Sequence, residues 1–355
     1  MVGLGILGAS ALLALARAGV ETVGYDQWTP GHPYGASGGG ETRIFRSISS
    51  TNDPAYTALL ARSRELWCEL DRGTGALFTL CGAIDVVPTG SPLISGTHVL
   101  GGPEAARRWP AHRFRSDEQV VFDAGGGLLD ASGCVRATVD AAQHLGAQVR
   151  IGGPVRSVRR TRTGHAEIRT DDAAEMVDAV ILATGRWALD PEATRTIEAR
   201  RVVLSWFPAR TPSLFDPSVF PPGQRHRPGG TWSFFPSIDG RTVKINMQTN
   251  QPVIFDANGP IPHPGSNYTR EWGSVVAAHL AGLGTRPERV EPYVETYTPQ
   301  RRGVVRFVDT TPQTVELAGF SGRGFKYAPA VGELAARFIL RGEPSRLFAP
   351  AGQLR

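Results

Sequence analysis

Lysine occurs at only two positions in this chain of 355 residues, Lys244 and Lys326, although lysine and arginine together number 38. A genome-wide bias toward arginine codons accounts for such an imbalance on the surface, where either cation serves. Arginine is broad, planar and permanently protonated. A primary amine is compact, can shift its pKa, and suits a place where a point charge must approach a reacting atom. A second pattern with chemical content opens the chain, where Gly3-Leu4-Gly5-Ile6-Leu7-Gly8 precedes the apolar helical run Ala9 to Ala18, ended by Gly19. In such a GxGxxG turn Gly3 permits the tight bend, Gly5 lets a pyrophosphate approach the backbone, and Gly8 lets the helix pack closely on a sheet with its N-terminus facing the anion. A short strand, Thr22 to Tyr25, then delivers Asp26, 18 residues after Gly8. That is close to the spacing at which a carboxylate takes the ribose hydroxyls of an adenosine, and an acid there favours NAD or FAD over NADP.

These residues need a scaffold, and the periodicity supplies one. A helix is expected from about Ser132 to Leu145, then strands at Gln148 to Ile151 and Ala166 to Arg169, then the apolar run Val177 to Ala183 entering Thr184-Gly185. Only Met1 and Val2 precede Gly3, so either the first strand is stunted or the sequence starts late. The length suggests two domains and the pattern an α/β fold. Hydrophobic residues make up 41% and charged residues 20%, which excludes disorder and a fibrous chain. No apolar stretch is long enough for a membrane span, and the three cysteines Cys68, Cys81 and Cys134 cannot pair completely, so a cytoplasmic protein is expected. The formal charge is +5, but the basic residues are dispersed among 33 acids and predict neither a nucleic-acid nor a membrane partner. None of the eight histidines has metal-ligand spacing and no Gly-x-Ser-x-Gly elbow occurs, so no metal site and no serine catalysis are expected.

The segment Gly35-Ala36-Ser37-Gly38-Gly39-Gly40-Glu41-Thr42-Arg43-Ile44-Phe45-Arg46 resembles the monomeric sarcosine oxidase and N-methyltryptophan oxidase family of FAD amine oxidases. The likeness continues at Ala61 to Trp67, Arg108-Trp109-Pro110, the helix around Cys134 and Ala183-Thr184-Gly185. It is most specific at Gly319-Phe320-Ser321-Gly322-Arg323-Gly324-Phe325-Lys326, and loosest between about 200 and 300. The resemblance implies an FAD-binding Rossmann-like domain of the glutathione-reductase type, assembled from 1–77, 126–204 and 305–355. An α+β substrate domain with a mixed sheet would comprise 78–125 and 205–304.

It also implies roles. Lys244, on a strand like Arg241 to Ile245, would sit beside the flavin and stabilise superoxide as oxygen is reduced to hydrogen peroxide. Arg46 and Lys326 would clamp the substrate carboxylate. Gly3, Gly5, Gly8, Asp26, Ser37, Thr42, Arg43, Gly185, Gly322, Gly324, Phe325 and Lys326 would line the cofactor, and Trp232, Phe234 and Gln248 would join Arg46 and Lys326 around the substrate. Many members attach FAD through a cysteine shortly before a Tyr-Thr pair. Here Glu295 stands in that place before Tyr297-Thr298, so non-covalent FAD is expected. The family's active-site tyrosine corresponds to Ser233 or Phe234. The small-molecule partners implied are a secondary or cyclic amino acid, oxidised to an imine, and molecular oxygen. An FAD dehydrogenase or desaturase with another acceptor, and an NAD-dependent dehydrogenase, are the alternatives. The aromatic group Trp206, Phe207, Trp232, Phe234 and Phe235 would be either an aromatic pocket or plain core. Pro208 to Gly230 reads as a mobile loop or lid, and Pro260 to Pro264 as another loop.

Overall fold

The structure is a computed structural model that describes residues 1–343 except 50–52, 94–96, 188–196, 228–229, 249–250, 255, 257 and 311–312. Helix α1 (Ile6–Arg17) begins one residue after Gly5, carries no acid in its first turn, and buries Ile6, Ala9, Leu12, Leu13 and Ala16. Its positive end is therefore left to an incoming anion. Parallel strands Val23–Asp26 and Gln148–Ile151 pair on one side of it, and Ala179–Leu182 pairs in parallel with Gln313–Ala318, which is followed antiparallel by Val304–Thr310. Val2 joins the two halves by single parallel bridges to Tyr25 and Leu182, so the first strand is reduced to one residue. A doubly wound α/β layer results.

Five further helices complete the frame: α2 (Pro54–Asp71), α3 (Gly102–Arg108), α4 (Ala131–His144), α5 (Ser266–His279) and α6 (Gly324–Arg341). Caps fix their starts: Asp53 accepts from Ala55 N at 3.0 Å with Pro54 in the first turn, and Asp130 accepts from Gly133 N at 3.0 Å. Helices α1 and α6 cross so closely that a Cβ on Gly332 would lie 2.4 Å from the Ser10 carbonyl carbon. One apolar core fills the space between α1, α2, α4, α6 and the parallel layer.

A mixed eight-stranded sheet forms the second half, in the order Arg289–Tyr297, Glu198–Pro208, Thr242–Met247, Gly230–Phe235, Gly223–Arg227, Ala83–Pro88, Glu118–Asp123 and His98–Gly101. All its pairings are antiparallel except that of Gly223–Arg227 with Ala83–Pro88. A second core packs α3 and α5 against one face of this sheet, and the other face looks toward the α/β layer. The expected loop from Pro208 to Gly230 is corrected here: it contains the strand Gly223–Arg227, held on both sides, while 228 and 229 lie outside the described residues. Pro260 to Pro264 is irregular, as its proline spacing requires. No helix among the described residues is long and apolar enough to cross a membrane.

Candidate active site

Three adjoining clefts of about 480, 120 and 270 Å³ run from the glycine turn at the N-terminus to the open face of the large sheet. The first is lined by Gly3, Gly5, Asp26, Ser37 and Gly185; the second by Gly5, Ser37, Arg43, Gly185, Gly322, Gly324 and Phe325. Gly3 has φ +88°, and a Cβ there would lie 2.5 Å from Ala183 O. A Cβ on Gly8 would lie 1.9 Å from Gly3 O, so Gly8 seats α1 on the turn and does not itself face the cleft. Asp26 accepts from Leu4 N at 2.7 Å and Trp28 N at 3.0 Å, which locks the turn and leaves further lone pairs for a ribose. Ser37 Oγ takes Ile6 N at 3.1 Å, at the head of α1.

Arg43 organises the loop that separates the clefts. Its guanidinium donates to Ala36 O at 2.6 Å, Gly39 O at 2.7 Å and Thr42 O at 2.8 Å, and lies 5.5 Å from the centroid of Phe325. Burial lowers its pKa, and Glu295 opposes that shift. Within this loop Glu41 is held at φ +64°, by bonds from Trp206 Nε1 at 2.9 Å and from Arg289. Ser321 and Arg301, both in the lining of the third cleft, also have positive φ. Such non-glycine strain persists only where surrounding structure enforces it.

The third cleft brings Arg46, Lys244 and Lys326 together with Thr42, Arg43, Phe325 and Gln248. Both lysines are buried. Lys244 Nζ donates to Thr42 O at 2.8 Å, to Thr42 Oγ1 at 2.7 Å and to Gly40 O, and lies 3.8 Å from the centroid of Phe235. Burial, then the guanidiniums of Arg43 and Arg289, push its pKa well below the ordinary lysine value, while Glu41 and the three oxygen acceptors favour the proton. Lys326, in the first turn of α6, has its pKa pushed down to about 7, first by burial and then by Arg46 and Arg323.

Sequence reasoning missed the partner of Arg46. Its guanidinium meets Asp85 Oδ1 at 2.6 Å, and His226 Nε2 lies 3.9 Å from the same oxygen. Burial alone would raise the Asp85 pKa, but Arg46 and then His226 outweigh it and hold the carboxyl below its ordinary value. The available signal was a single acid in the otherwise apolar strand Ala83-Ile84-Asp85-Val86. Asn246 and Gln224 were missed as well; Asn246 shares a strand face with Lys244, and Gln224 is in register with Ser233 on the neighbouring strand.

Two expected substrate residues are corrected. Trp232 and Phe234 are fully buried on the opposite face of the sheet, among Phe215, Phe220 and Trp272, because alternate residues of a strand point to opposite faces. Ser233 and Phe235 face the cleft instead. Of the five aromatic residues considered for a pocket, Phe235 alone is in the cleft lining. Cys68, Cys81 and Cys134 are free, and none lines the three clefts; Glu295 lines two of them and accepts from Tyr297 OH at 2.9 Å.

The Lys326 pKa makes anion binding pH-dependent. A bound carboxylate raises that pKa, so binding takes up a proton wherever Lys326 is otherwise neutral. Affinity for a non-oxidisable carboxylate such as acetate should be greatest below pH 7 and fall as the pH rises above it. Calorimetric titrations between pH 6 and 9 check this, and a dissociation constant flat across that range would contradict it.

The family profile described as FAD dependent oxidoreductase matches residues 1–338. A curated relative, monomeric sarcosine oxidase of Streptomyces avermitilis, is 28% identical over 99% of this chain and 96% of its own length. N-methyl-L-tryptophan oxidase of Yersinia pestis (strain Pestoides F) is 24% identical over 100% of this chain and 97% of its own. Among solved structures, the Tyr258Phe mutant of NikD, titled an unusual amino acid oxidase essential for nikkomycin biosynthesis, superposes with a TM-score of 0.83 at 17% identity, covering 100% of this chain and 97% of that one. L-proline dehydrogenase from P. horikoshii gives 0.79 at 19% identity, covering 98% and 93%. With a doubly wound layer, a glycine turn at its edge and a profile match over nearly its whole length, this chain belongs to the FAD dependent oxidoreductase family.

Proposed function

We propose that the protein oxidises the C–N bond of a secondary or cyclic amino acid to an imine, with molecular oxygen reduced to hydrogen peroxide. The observation that carries this reading is the charge of the third cleft. Arg43, Arg46, Lys244, Arg301, Arg323 and Lys326 line it against the carboxylates of Asp85 and Glu295. Such a set attracts a carboxylate, and Arg46 with Lys326 is the pair placed to hold it. The same positive potential disfavours an ammonium ion, so a bound amine loses its proton more readily and presents the lone pair that assists C–H cleavage. Holding the carboxylate fixes the α carbon, and orientation of this kind can supply much of the acceleration.

Bound FAD would supply the two-electron acceptor for the substrate and the donor for oxygen. In this reading the first cleft, with Gly3, Gly5 and Asp26, takes the adenosine and pyrophosphate, and Arg43, Gly322, Gly324 and Phe325 take the remainder. The FAD module would comprise 1–77, 126–204 and 305–355, with 78–125 and 205–304 as the substrate module, except that strand Glu198–Pro208 pairs wholly within the eight-stranded sheet and moves the expected boundary at 204 back to about 197; 344–355 lie outside the described residues. Lys244 would place its charge where oxygen takes up electrons. Attachment would be non-covalent, since Glu295 offers no thiol and no cysteine reaches the clefts. Three thiols free of disulfides suit the cytoplasm.

The test uses the yellow holoenzyme in air with a panel of N-methyl and cyclic amino acids. One peroxide per oxygen consumed is expected, with FAD released into the supernatant on acid precipitation. Substrate oxidation without peroxide would contradict the oxidase reading, and flavin retained in the precipitate would contradict non-covalent binding.

A further inference from the structure

Resting on the amine-oxidising reading above, we propose that the substrate carries a further hydrogen-bond donor, a hydroxyl or amide N–H, besides its amine and carboxylate. A row of polar side chains on the floor of the cleft receives it, with Asn246 as the specificity-determining residue. Across the large sheet Asp85 is in register with Gln224, Gln224 with Ser233, and Ser233 with Asn246. All four line the cleft. Residues in register on neighbouring strands share a face, and strands lie about 4.8 Å apart, so the row spans roughly 14 Å.

The hydrogen bonds along the row are unequally met. Gln224 Nε2 and Gln248 Nε2 both donate to Ser233 Oγ, at 3.0 and 3.2 Å, which fills its acceptor capacity and leaves its hydroxyl hydrogen to donate. The carboxylate of Asp85 is engaged by Arg46. Asn246 Oδ1 is buried and accepts from no described residue. An acceptor left in that state carries the unmet cost of having left water, which a donor on the ligand would recover.

An apolar side group would instead cover four polar side chains and return nothing to them. Of the apolar residues on these strands, Trp232, Phe234, Ile245 and Met247 point away into the second core, and Phe235 faces the cleft beside Lys244. A site built to hydrogen-bond a hydroxyl rejects the analogue lacking it much more strongly than an apolar pocket rejects an added hydroxyl.

The experiment uses the holoenzyme without air and two matched pairs: N-methyl-L-serine against N-methyl-L-alanine, and trans-4-hydroxy-L-proline against L-proline. Binding is read from perturbation of the flavin spectrum, and oxidation from its bleaching. At least a tenfold preference for the hydroxylated member of one pair is expected. Asn246→Leu should reduce that preference to threefold or less, through weaker binding of the hydroxylated member. Asn246→Asp, which keeps an acceptor, should retain it and serves also if the leucine variant does not fold.

Equal or better handling of the apolar members, or a preference that survives in Asn246→Leu, would overturn the proposal while leaving amine oxidation standing. Tighter binding of hydroxylated members with no bleaching by any would support this recognition and overturn the oxidation reading. Absence of both binding and bleaching would overturn both.

Discussion

Lys244→Met should slow reoxidation of the reduced flavin by oxygen at least tenfold while anaerobic reduction by substrate stays within a few-fold of wild type. The asymmetry follows from where the charge resides. Lys244 is buried against the loop at Gly40 and Thr42, whereas Arg46 and Lys326, the pair proposed to hold the substrate carboxylate, line the same cleft without bonding to that loop's carbonyls. A fixed cation near developing negative charge lowers a barrier by a few kcal/mol, which is a factor of roughly ten to a thousand in rate. The substitution also removes one donor from each of Thr42 O and Gly40 O, which keep bonds from Arg43 and from Thr42 N, so a modest fall in thermal midpoint is expected alongside the kinetic effect. Reoxidation at the wild-type rate in a variant that still binds FAD would remove Lys244 from oxygen chemistry and leave it as the tether of that loop.

Arg46→Ala should weaken carboxylate-bearing ligands by about 2 kcal/mol or more, roughly thirtyfold, as for loss of a buried charged partner. The structure adds a signature that a merely destabilised cleft would not give. Arg46 is among the groups that lower the Lys326 pKa and is the largest charge holding down that of Asp85. In Arg46→Ala the pH above which carboxylate affinity declines should therefore move upward from about 7. Weakened binding with an unmoved pH profile would mean that Arg46 and Lys326 do not act on the same anion.

What could be read in the sequence was local. The turn Gly3 to Gly8, Asp26 at the end of its strand, and the strand Gln148–Ile151 are each specified by neighbouring residues, and each lies where the pattern placed it. Strand-face parity was harder. Trp232, Ser233, Phe234 and Phe235 all suit a strand, and nothing in their order says which alternate pair meets the ligand until the sheet's two faces are known. Asp85 was harder to read for another reason: its meaning depends on Arg46, 39 residues away and just past the end of strand Thr42–Phe45 in a different sheet. The strand Gly223–Arg227 was hidden because prolines and glycines on both sides read as a loop, while one of its two pairing partners, Ala83–Pro88, lies far away in the earlier segment of the sequence.

The proposed function requires the third cleft to take an amine whose carboxylate is held by Arg46 and Lys326. Anaerobic titration of the wild-type holoenzyme with matched pairs, L-proline against pyrrolidine and N-methyl-L-alanine against N-methylethylamine, reads this out through bleaching of the flavin band. A carboxylate-bearing member should bleach the flavin at least tenfold more efficiently than its decarboxylated counterpart. Equal bleaching by the two members of each pair, or none by any while dithionite still reduces the bound flavin, would contradict the proposed function.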